Sequence, residues 1–155
     1  MDNIEEMIQT SSIGGLTFLI SRFNNVFIGR ELEEFGLGAG QYLYLLTLYH
    51  NEGITQNELA ERLFINKGCA TRALNKLEEN GYIIRKRNEK DRRAINLYVT
   101  EKALKIRDNI YDIIRKRLEC VTSDLSMEEK DTLKKLLQKV ASKAVIEKRK
   151  HDKQK

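Results

Sequence analysis

Between residues 54 and 100, the spacing of the apolar side chains changes from that of two short helices to that of two strands. Each helix has a single apolar face, which is typical of a helix that packs on one side only. The apolar positions are Leu59, Ala60 and Leu63 in the first helix, and Ala70, Ala73, Leu74 and Leu77 in the second. Thr55 and Glu58 form a capping box that predicts the start of the first helix, while Asn66 caps the second and Gly81 ends it.

In segments 82–87 and 94–99, apolar and polar side chains alternate instead of recurring at helical spacing, and both segments are rich in β-branched and aromatic residues. The side chains expected on the face that rests on the helices are Ile95, Leu97 and Val99. The connecting loop 88–93 is too charged to pack in a core. The pattern therefore predicts a winged helix-turn-helix, with its two helices at about 55–78 and its wing at about 83–99.

Longer helices flank this winged module, which spans 37–100. Residues 3–34 predict a short helix followed by a longer one, residues 40–50 a strongly apolar helix under the module, and residues 101–150 two more helices, the second opened by a capping box at Ser126. The apolar stripes at both ends are too long for a small module to cover. We therefore expect a homodimer in which helices 3–34 and 101–150 of two subunits pack together, and a fold that is mostly α with a small β-hairpin wing.

The composition favours one domain over residues 1–155, because no linker rich in Pro, Gly or Ser divides the chain. No apolar run approaches a membrane span, and the acidic N-terminus argues against a signal peptide, so we expect a soluble, cytoplasmic protein without a membrane partner. Two cysteines make no disulfide framework. The scattered His50, Cys69, Cys120 and His151 lack ligand spacing, and we expect neither a metal site nor a cofactor.

Positive charge is concentrated on the predicted module. Residues 66–93 carry nine basic and four acidic side chains, a net +5 that equals the charge of the whole chain, whereas residues 1–65 sum to −6. A positive patch on a helix-turn-helix is typical of DNA-binding proteins.

The predicted DNA contacts fall on the polar face of the second helix, at the start of the first helix and on the wing. They are Asn66, Lys67, Gly68, Cys69, Thr71, Arg72, Asn75 and Lys76, then Thr55, Gln56 and Asn57, and finally Lys86, Lys90, Asp91, Arg92 and Arg93. We expect Thr71 and Arg72 to reach base edges, while Lys76 and the helix N-terminus hold phosphates. The alternative is an ordinary solvated helix face.

In the wing loop, Asp91 is expected to brace one arginine while the other enters the minor groove, whose potential favours guanidinium. The sequence does not decide between Arg92 and Arg93. A hairpin tip that serves only solubility is the alternative.

With these motifs the chain resembles the MarR family of bacterial and archaeal transcriptional regulators over residues 15–145. The resemblance rests on Leu37…Gln41-Tyr42-Leu43…Leu45-Leu46, Thr55-Gln56-Asn57-Glu58-Leu59-Ala60, Thr71-Arg72…Leu74…Leu77-Glu78…Gly81-Tyr82-Ile83, and Asp91-Arg92-Arg93 before Val99-Thr100-Glu101-Lys102. It implies a dimer whose second helix enters the major groove and whose wing arginine enters the minor groove, Arg93 being the position most often kept. Departures are a wing without proline, Cys69 where threonine or serine is usual, and Ala103 in place of a common glycine.

The same resemblance implies a small aromatic or anionic ligand between the dimer helices and the winged module. The candidate ligand-binding residues are Phe23, Phe27, Tyr42 and Tyr111. Because aromatics at helical spacing are usually core, we favour simple packing for most of them. The peroxide sensors of the family carry a reactive cysteine near the N-terminus, where this chain has none, so we interpret Cys69 as a small side chain in place of threonine rather than a redox switch.

The sequence therefore predicts a sequence-specific transcription regulator that binds a pseudo-palindromic double-stranded operator, with half-sites about one DNA turn apart. Repression, relieved when a ligand changes the spacing of the two modules, is the favoured mode. The alternative is a non-specific architectural DNA-binding protein, which predicts no affinity gap between operator and random DNA. An enzyme is disfavoured, because the chain has no Ser/His/Asp or Cys/His arrangement and no phosphate-cradling glycine loop.

Overall fold

A computed structural model of the chain describes residues 2–88 and 94–153. Its elements, in chain order, are α1 (Asp2–Thr10), α2 (Ile13–Glu31), a 3-10 turn (Glu33–Phe35), α3 (Gln41–His50), α4 (Gln56–Arg62), α5 (Lys67–Glu79), β1 (Ile83–Arg87), β2 (Ile95–Val99), α6 (Glu101–Val121) and α7 (Met127–Lys153). The predicted class, mostly α with one hairpin wing, is confirmed. The chain divides into two compact units, one up to Arg117 and one from Leu118 onwards.

Local side chains set the helix ends where the sequence places them. The Thr55 hydroxyl accepts a hydrogen bond from the Glu58 N–H at 3.3 Å, and the Glu58 carboxylate accepts one from the Thr55 N–H at 2.7 Å, which completes the capping box of α4. The Asn66 side chain accepts from the backbone N–H of Cys69 at 2.8 Å and so begins α5. Each cap satisfies a backbone donor that the helix itself leaves unpaired.

The two helices of the module end in the same type of turn. After α5, Gly81 has a φ of +73°, and the N–H of Tyr82 donates to the carbonyl of Leu77. After α4, Phe64 takes the left-handed position with a φ of +54°, and the N–H of Ile65 donates to the carbonyl of Ala60. This bond pattern is a Schellman motif, which turns the chain sharply between α4 and α5.

The wing is an antiparallel pair in which Ile83 lies opposite Val99 and Arg87 lies opposite Ile95. A feature that the sequence did not reveal is a third segment, residues 53–55, on the free edge of β2. The Gly53 N–H donates to the Leu97 carbonyl at 2.9 Å, and the Leu97 N–H donates to the Ile54 carbonyl at 2.9 Å. The base of the wing is thereby hydrogen-bonded to the segment that leads into α4.

One expectation for the wing is wrong. Leu97 is fully buried and Val99 is half-buried, as alternation predicts, but Ile95 is 48% exposed. Ile95 lies at the far end of β2, where it borders an open groove beside the start of α4 instead of the core.

The core lies beneath the winged module, and α3 contributes to its centre as expected. Its fully buried large side chains are Tyr82, Leu32, Leu37, Leu45, Leu48, Leu59, Leu74, Leu77, Ile83, Leu97 and Ile110. Two long-range hydrogen bonds hold the end of α5 in place: the Tyr82 hydroxyl donates to the Phe35 carbonyl, and the Asn80 amide donates to the Gly36 carbonyl at 2.8 Å. The end of α5 is therefore fixed from outside the helix.

In the second unit, α7 packs few of its apolar side chains. The exposed apolar residues of α7 include Leu133, Leu136, Leu137, Val140 and Ile146. Its start is capped as predicted, because the Ser126 hydroxyl accepts from the Glu129 N–H at 3.2 Å and the Glu129 carboxylate accepts from the Ser126 N–H at 2.8 Å. No helix within residues 2–88 and 94–153 is long and apolar enough to cross a lipid bilayer.

Candidate nucleic-acid interface

The helix α5 presents a polar face whose position is fixed by the opposite, buried face. Ala70, Leu74 and Leu77 have no exposed surface. The predicted contacts on the other side are exposed, apart from a half-buried Cys69: they are Asn66, Lys67, Gly68, Thr71, Arg72, Asn75 and Lys76. A rigidly anchored helix with one exposed polar face is the geometry that a major groove accepts.

The start of α4 contacts this face through one side chain. The Gln56 amide donates to the Thr71 hydroxyl oxygen at 2.6 Å, and that hydroxyl donates its own proton to the Lys67 carbonyl at 2.9 Å. Since a hydroxyl has one proton to donate, Thr71 can offer DNA only its methyl group and one lone pair. A contact between Thr71 and a base edge can therefore use the methyl group or accept one hydrogen bond, but Thr71 has no proton left to donate.

Arg72 lies beside Cys69 on the same face. Its guanidinium is 3.5 Å from the Cys69 sulfur, a weak contact, and among the described residues it makes no ion pair. Its donors are therefore available for a stronger acceptor, which fits the predicted base contact.

Arg85 has a different role from the other basic residues of the patch. It lies on the inner face of β1, opposite Leu97, and its guanidinium pairs with the Glu78 carboxylate and donates to the Asn75 amide oxygen at 2.9 Å. From the sequence, Arg85 is recognisable only as one of the positive charges of residues 66–93. The signal that reveals its role is its two-residue spacing from the buried Ile83, which places both side chains on the same face of the strand.

The described part of the wing offers one of its predicted contacts. Lys86 is exposed, with its ammonium 5.1 Å from the centre of the Tyr98 ring, a cation–π distance. The expected contacts Lys90, Asp91, Arg92 and Arg93 lie outside the described residues.

A groove runs between the wing and the start of α4. It has a volume of about 410 Å³ and is lined by Thr55, Gln56, Asn57, Arg85, Ala94, Ile95 and Leu97. Asn57 is exposed there, whereas Thr55 and Gln56 are half-buried. The Glu58 carboxyl beside it has a pKa below its ordinary value, chiefly because it accepts the hydrogen bond from the Thr55 N–H. The three predicted contacts of the first helix thus share one edge of this groove.

Three of the four aromatic residues that were predicted to bind a ligand have a contact within the chain. The Tyr42 hydroxyl donates to Asn25 at 2.9 Å, and burial raises its pKa. Tyr111 is hydrogen-bonded to His50 at 2.9 Å, and the Phe27 ring lies 4.7 Å from the Arg117 guanidinium carbon. Phe23 is 57% exposed. These contacts fit side chains that join α2, α3 and α6, and a ligand at these positions stays a prediction.

A metal ion is held by several His, Cys, Asp or Glu side chains that lie close together. Within residues 2–88 and 94–153, no group of three or more such side chains is placed to hold an ion.

Comparison with known proteins places these features in a family. The family model described as the MarR family matches residues 37–95. The HTH-type transcriptional regulator YybA of Bacillus subtilis is 33% identical over 132 residues, which is 83% of each chain. The crystal structure of a MarR transcriptional regulator from Methanosarcina mazei Go1 matches with a TM-score of 0.79 and 32% identity, over 86% of this chain and 97% of that one.

A further structural neighbour was solved with nucleic acid. It is a putative MarR family transcriptional regulator from Listeria monocytogenes complexed with 26mer DNA, with a TM-score of 0.80 and 28% identity over 86% of this chain and 89% of that one. With the winged module, the family model and the long matches to regulators in agreement, this chain belongs to the MarR family of transcriptional regulators.

Proposed function

We propose that this DNA-binding regulator acts as a homodimer on a pseudo-palindromic operator, represses transcription by blocking polymerase access, and is released by a small aromatic or anionic ligand. The observation that carries the DNA-binding part is the exposed polar face of α5, held rigidly by the buried Ala70, Leu74 and Leu77. The complex of the Listeria monocytogenes neighbour with 26mer DNA supports DNA as the partner.

The homodimer is supported by apolar surface that one chain leaves uncovered. Exposed apolar side chains lie on α1, α2 and α7 and at the end of α6; they include Ile4, Ile8, Phe18, Phe23, Leu118, Leu136 and Val140. Such surface is costly to leave in water, and a second copy of the chain would cover it. A two-fold dimer then presents two α5 helices to successive major grooves.

The variant Arg72→Ala tests whether Arg72 contributes to the sequence specificity of DNA binding. Duplexes are first selected from random DNA by the wild-type protein, and the affinity of each variant for the selected and a scrambled duplex is then measured. Since a bidentate contact between arginine and guanine contributes about 1–3 kcal/mol of discrimination, Arg72→Ala should reduce the gap between the two duplexes by that amount. Arg107→Ala on α6, outside the predicted interface, is the matched control and should keep the full gap. Wild-type protein with equal affinity for both duplexes would favour the architectural alternative instead.

The wing arginines test the minor-groove contact. The double variant Arg92→Ala/Arg93→Ala should lower affinity for both duplexes and flatten the salt dependence by about 0.9 log units per lost phosphate contact. The control removes two positive charges from α7, in Lys134→Ala/Lys135→Ala. Normal binding by the wing variant over a salt titration would rule out the proposed role of the wing.

A further inference from the structure

The turns that end α4 and α5 have the same pattern of hydrogen bonds but differ in the residue at the left-handed position. After α5 this residue is Gly81, with a φ of +73°, whereas after α4 it is Phe64, with a φ of +54°. Among the described residues, Phe64 is the one residue other than glycine that has a positive φ. A side chain is strained in this conformation because its Cβ lies too close to the following carbonyl oxygen, and glycine avoids that strain. Phe64 is therefore a residue that the turn itself disfavours.

Packing of the turn does not explain why a large ring lies at this position. In this motif, the apolar residue that commonly packs back on the helix is the one after the left-handed position, here the half-buried Ile65. Phe64 itself is 48% exposed. A single exposed apolar side chain is common on protein surfaces, but here exposure and backbone strain occur at the same residue. Residues strained in this way cluster at binding and active sites, which makes the ring a candidate contact.

Phe64 lies close to the predicted DNA contacts at the start of α5. Two peptide units separate it from Asn66, the N-cap of α5, so their Cα atoms are at most about 7.6 Å apart. Asn66 and Lys67 are both exposed. Two exposed basic side chains, Arg62 and Lys67, flank the ring in sequence, with one exposed acidic side chain, Glu61. The ring therefore borders the surface that is expected to meet the phosphate backbone.

A phenyl ring can bind DNA without reading its sequence. The sugars of the backbone present apolar C–H groups along the edges of the major groove, and a ring packed against them removes apolar surface from water. Contacts to sugars and phosphates fix the position of a protein on the duplex but carry no sequence information. Because a neutral ring releases no counterions, it adds affinity without adding salt dependence.

We propose that Phe64 is a DNA contact, whose ring packs on the backbone sugars beside the N-terminus of α5 and so fixes the depth at which α5 lies in the groove. This inference rests on the proposed function, since it needs α5 to lie in the major groove. If the ring were instead a docking point for a protein, DNA would leave it exposed.

The first experiment removes the ring and keeps the turn, because glycine and asparagine both tolerate the left-handed conformation. Phe64→Gly and Phe64→Asn should each lower affinity by about 5- to 50-fold, since roughly half of the ring is left for DNA to cover. The loss should be equal for a duplex selected by the wild-type protein and for a scrambled one. The slope of log affinity against log salt should not change, because no phosphate contact is lost. Leu104→Ala, at a 41% exposed position of α6, is the matched control and should bind like wild type.

Fluorescence gives a second measurement that does not depend on a loss of affinity. The chain has no tryptophan, so Phe64→Trp places a single indole ring in the turn. Binding of the selected duplex should shift the emission of this ring and protect it from quenching by acrylamide. In the control Leu104→Trp, the same duplex should change neither emission nor quenching.

The inference is overturned if both variants without the ring bind like wild type, or if DNA leaves the emission and quenching of Phe64→Trp unchanged. A loss of affinity that comes with a flatter salt slope, or with a smaller gap between the two duplexes, also overturns it. Such a result would mean that the variants displace α5 instead of removing an apolar contact. These outcomes leave the proposed function in place, whereas a wild-type protein that binds no duplex would overturn the proposed function and this inference together.

Discussion

The helices α5 and α7 are both amphipathic, yet only α5 finds its apolar partners within the described chain. Leu74 and Leu77 of α5 have no exposed surface, whereas Leu136 and Val140 of α7 are 54% and 49% exposed. Helical spacing identifies an apolar face in both cases, but it does not say what covers that face. The folded position of α5 is set by its own chain, and we infer that α7 needs a second molecule.

The largest effect is expected from a cavity beneath α5. Leu74→Ala should lower the free energy of unfolding by about 2–5 kcal/mol, because it removes a fully buried side chain from a packed core. Urea unfolding at a fixed protein concentration measures this free energy. Glu79→Ala, on the exposed side of the same helix, should change it by less than about 0.5 kcal/mol. If both variants unfold alike, α5 is no better packed than α7, and the contrast disappears.

A charge introduced on the apolar face of α7 should weaken the association of two subunits instead of the stability of one. Leu137→Lys places an ammonium group in the proposed subunit contact and should weaken the dimer by more than about tenfold, or roughly 1.4 kcal/mol. Ser142→Lys adds the same charge on the opposite face of the helix and should leave the dimer intact. Sedimentation velocity over a range of concentrations separates the two. A Leu137→Lys protein that stays dimeric shows that this part of α7 is not the contact.

The elements of the winged module could be predicted because their signals are local. The capping box at Thr55 and Glu58, the apolar stripe around Leu74 and the turn at Gly81 each depend on residues only a few positions apart. The chain has no Pro to disturb these patterns.

Contacts between distant segments left no such signal. Pairing of residues 53–55 with β2 uses backbone groups, which every sequence carries. Gln56 and Thr71 are 15 residues apart, and either side chain has many possible partners. The spacing of Arg85 from Ile83 places it on the inner face of β1, but its partners Glu78 and Asn75 are seen only in the structure. The sequence thus predicted which face of α5 is polar and exposed, while the hydrogen bonds between the side chains on that face required the structure.

The smallest effect concerns the attachment of α6 to the module. The Tyr49 hydroxyl donates to the Ala103 carbonyl at 2.7 Å, and burial raises the pKa of Tyr49 to about 12. Because the folded state favours the neutral phenol, its contribution to stability is complete below pH 10 and is lost as the pH rises through 12. Tyr49→Phe should cost about 1 kcal/mol at neutral pH.

The pH dependence provides the decisive measurement. Urea midpoints recorded from pH 8 to the alkaline limit should fall less steeply for Tyr49→Phe than for wild type, so that the two curves converge. Parallel curves would mean that Tyr49 ionises as freely in the folded protein as in the unfolded chain, contrary to its half-buried position and its hydrogen bond to Ala103.

The strand-like contact between residues 53–55 and β2 has a mechanical consequence. Thr55 is the last residue of that contact and also the N-cap of α4, so no flexible linker separates the hairpin from the first helix of the module. A tilt of the wing would pull the start of α4 with it, and through Gln56 it would strain the hydrogen bond to Thr71. The wing and the two helices are therefore expected to move as one rigid body. Any change in the angle between two such modules would then change the position of both α5 and the wing relative to the DNA.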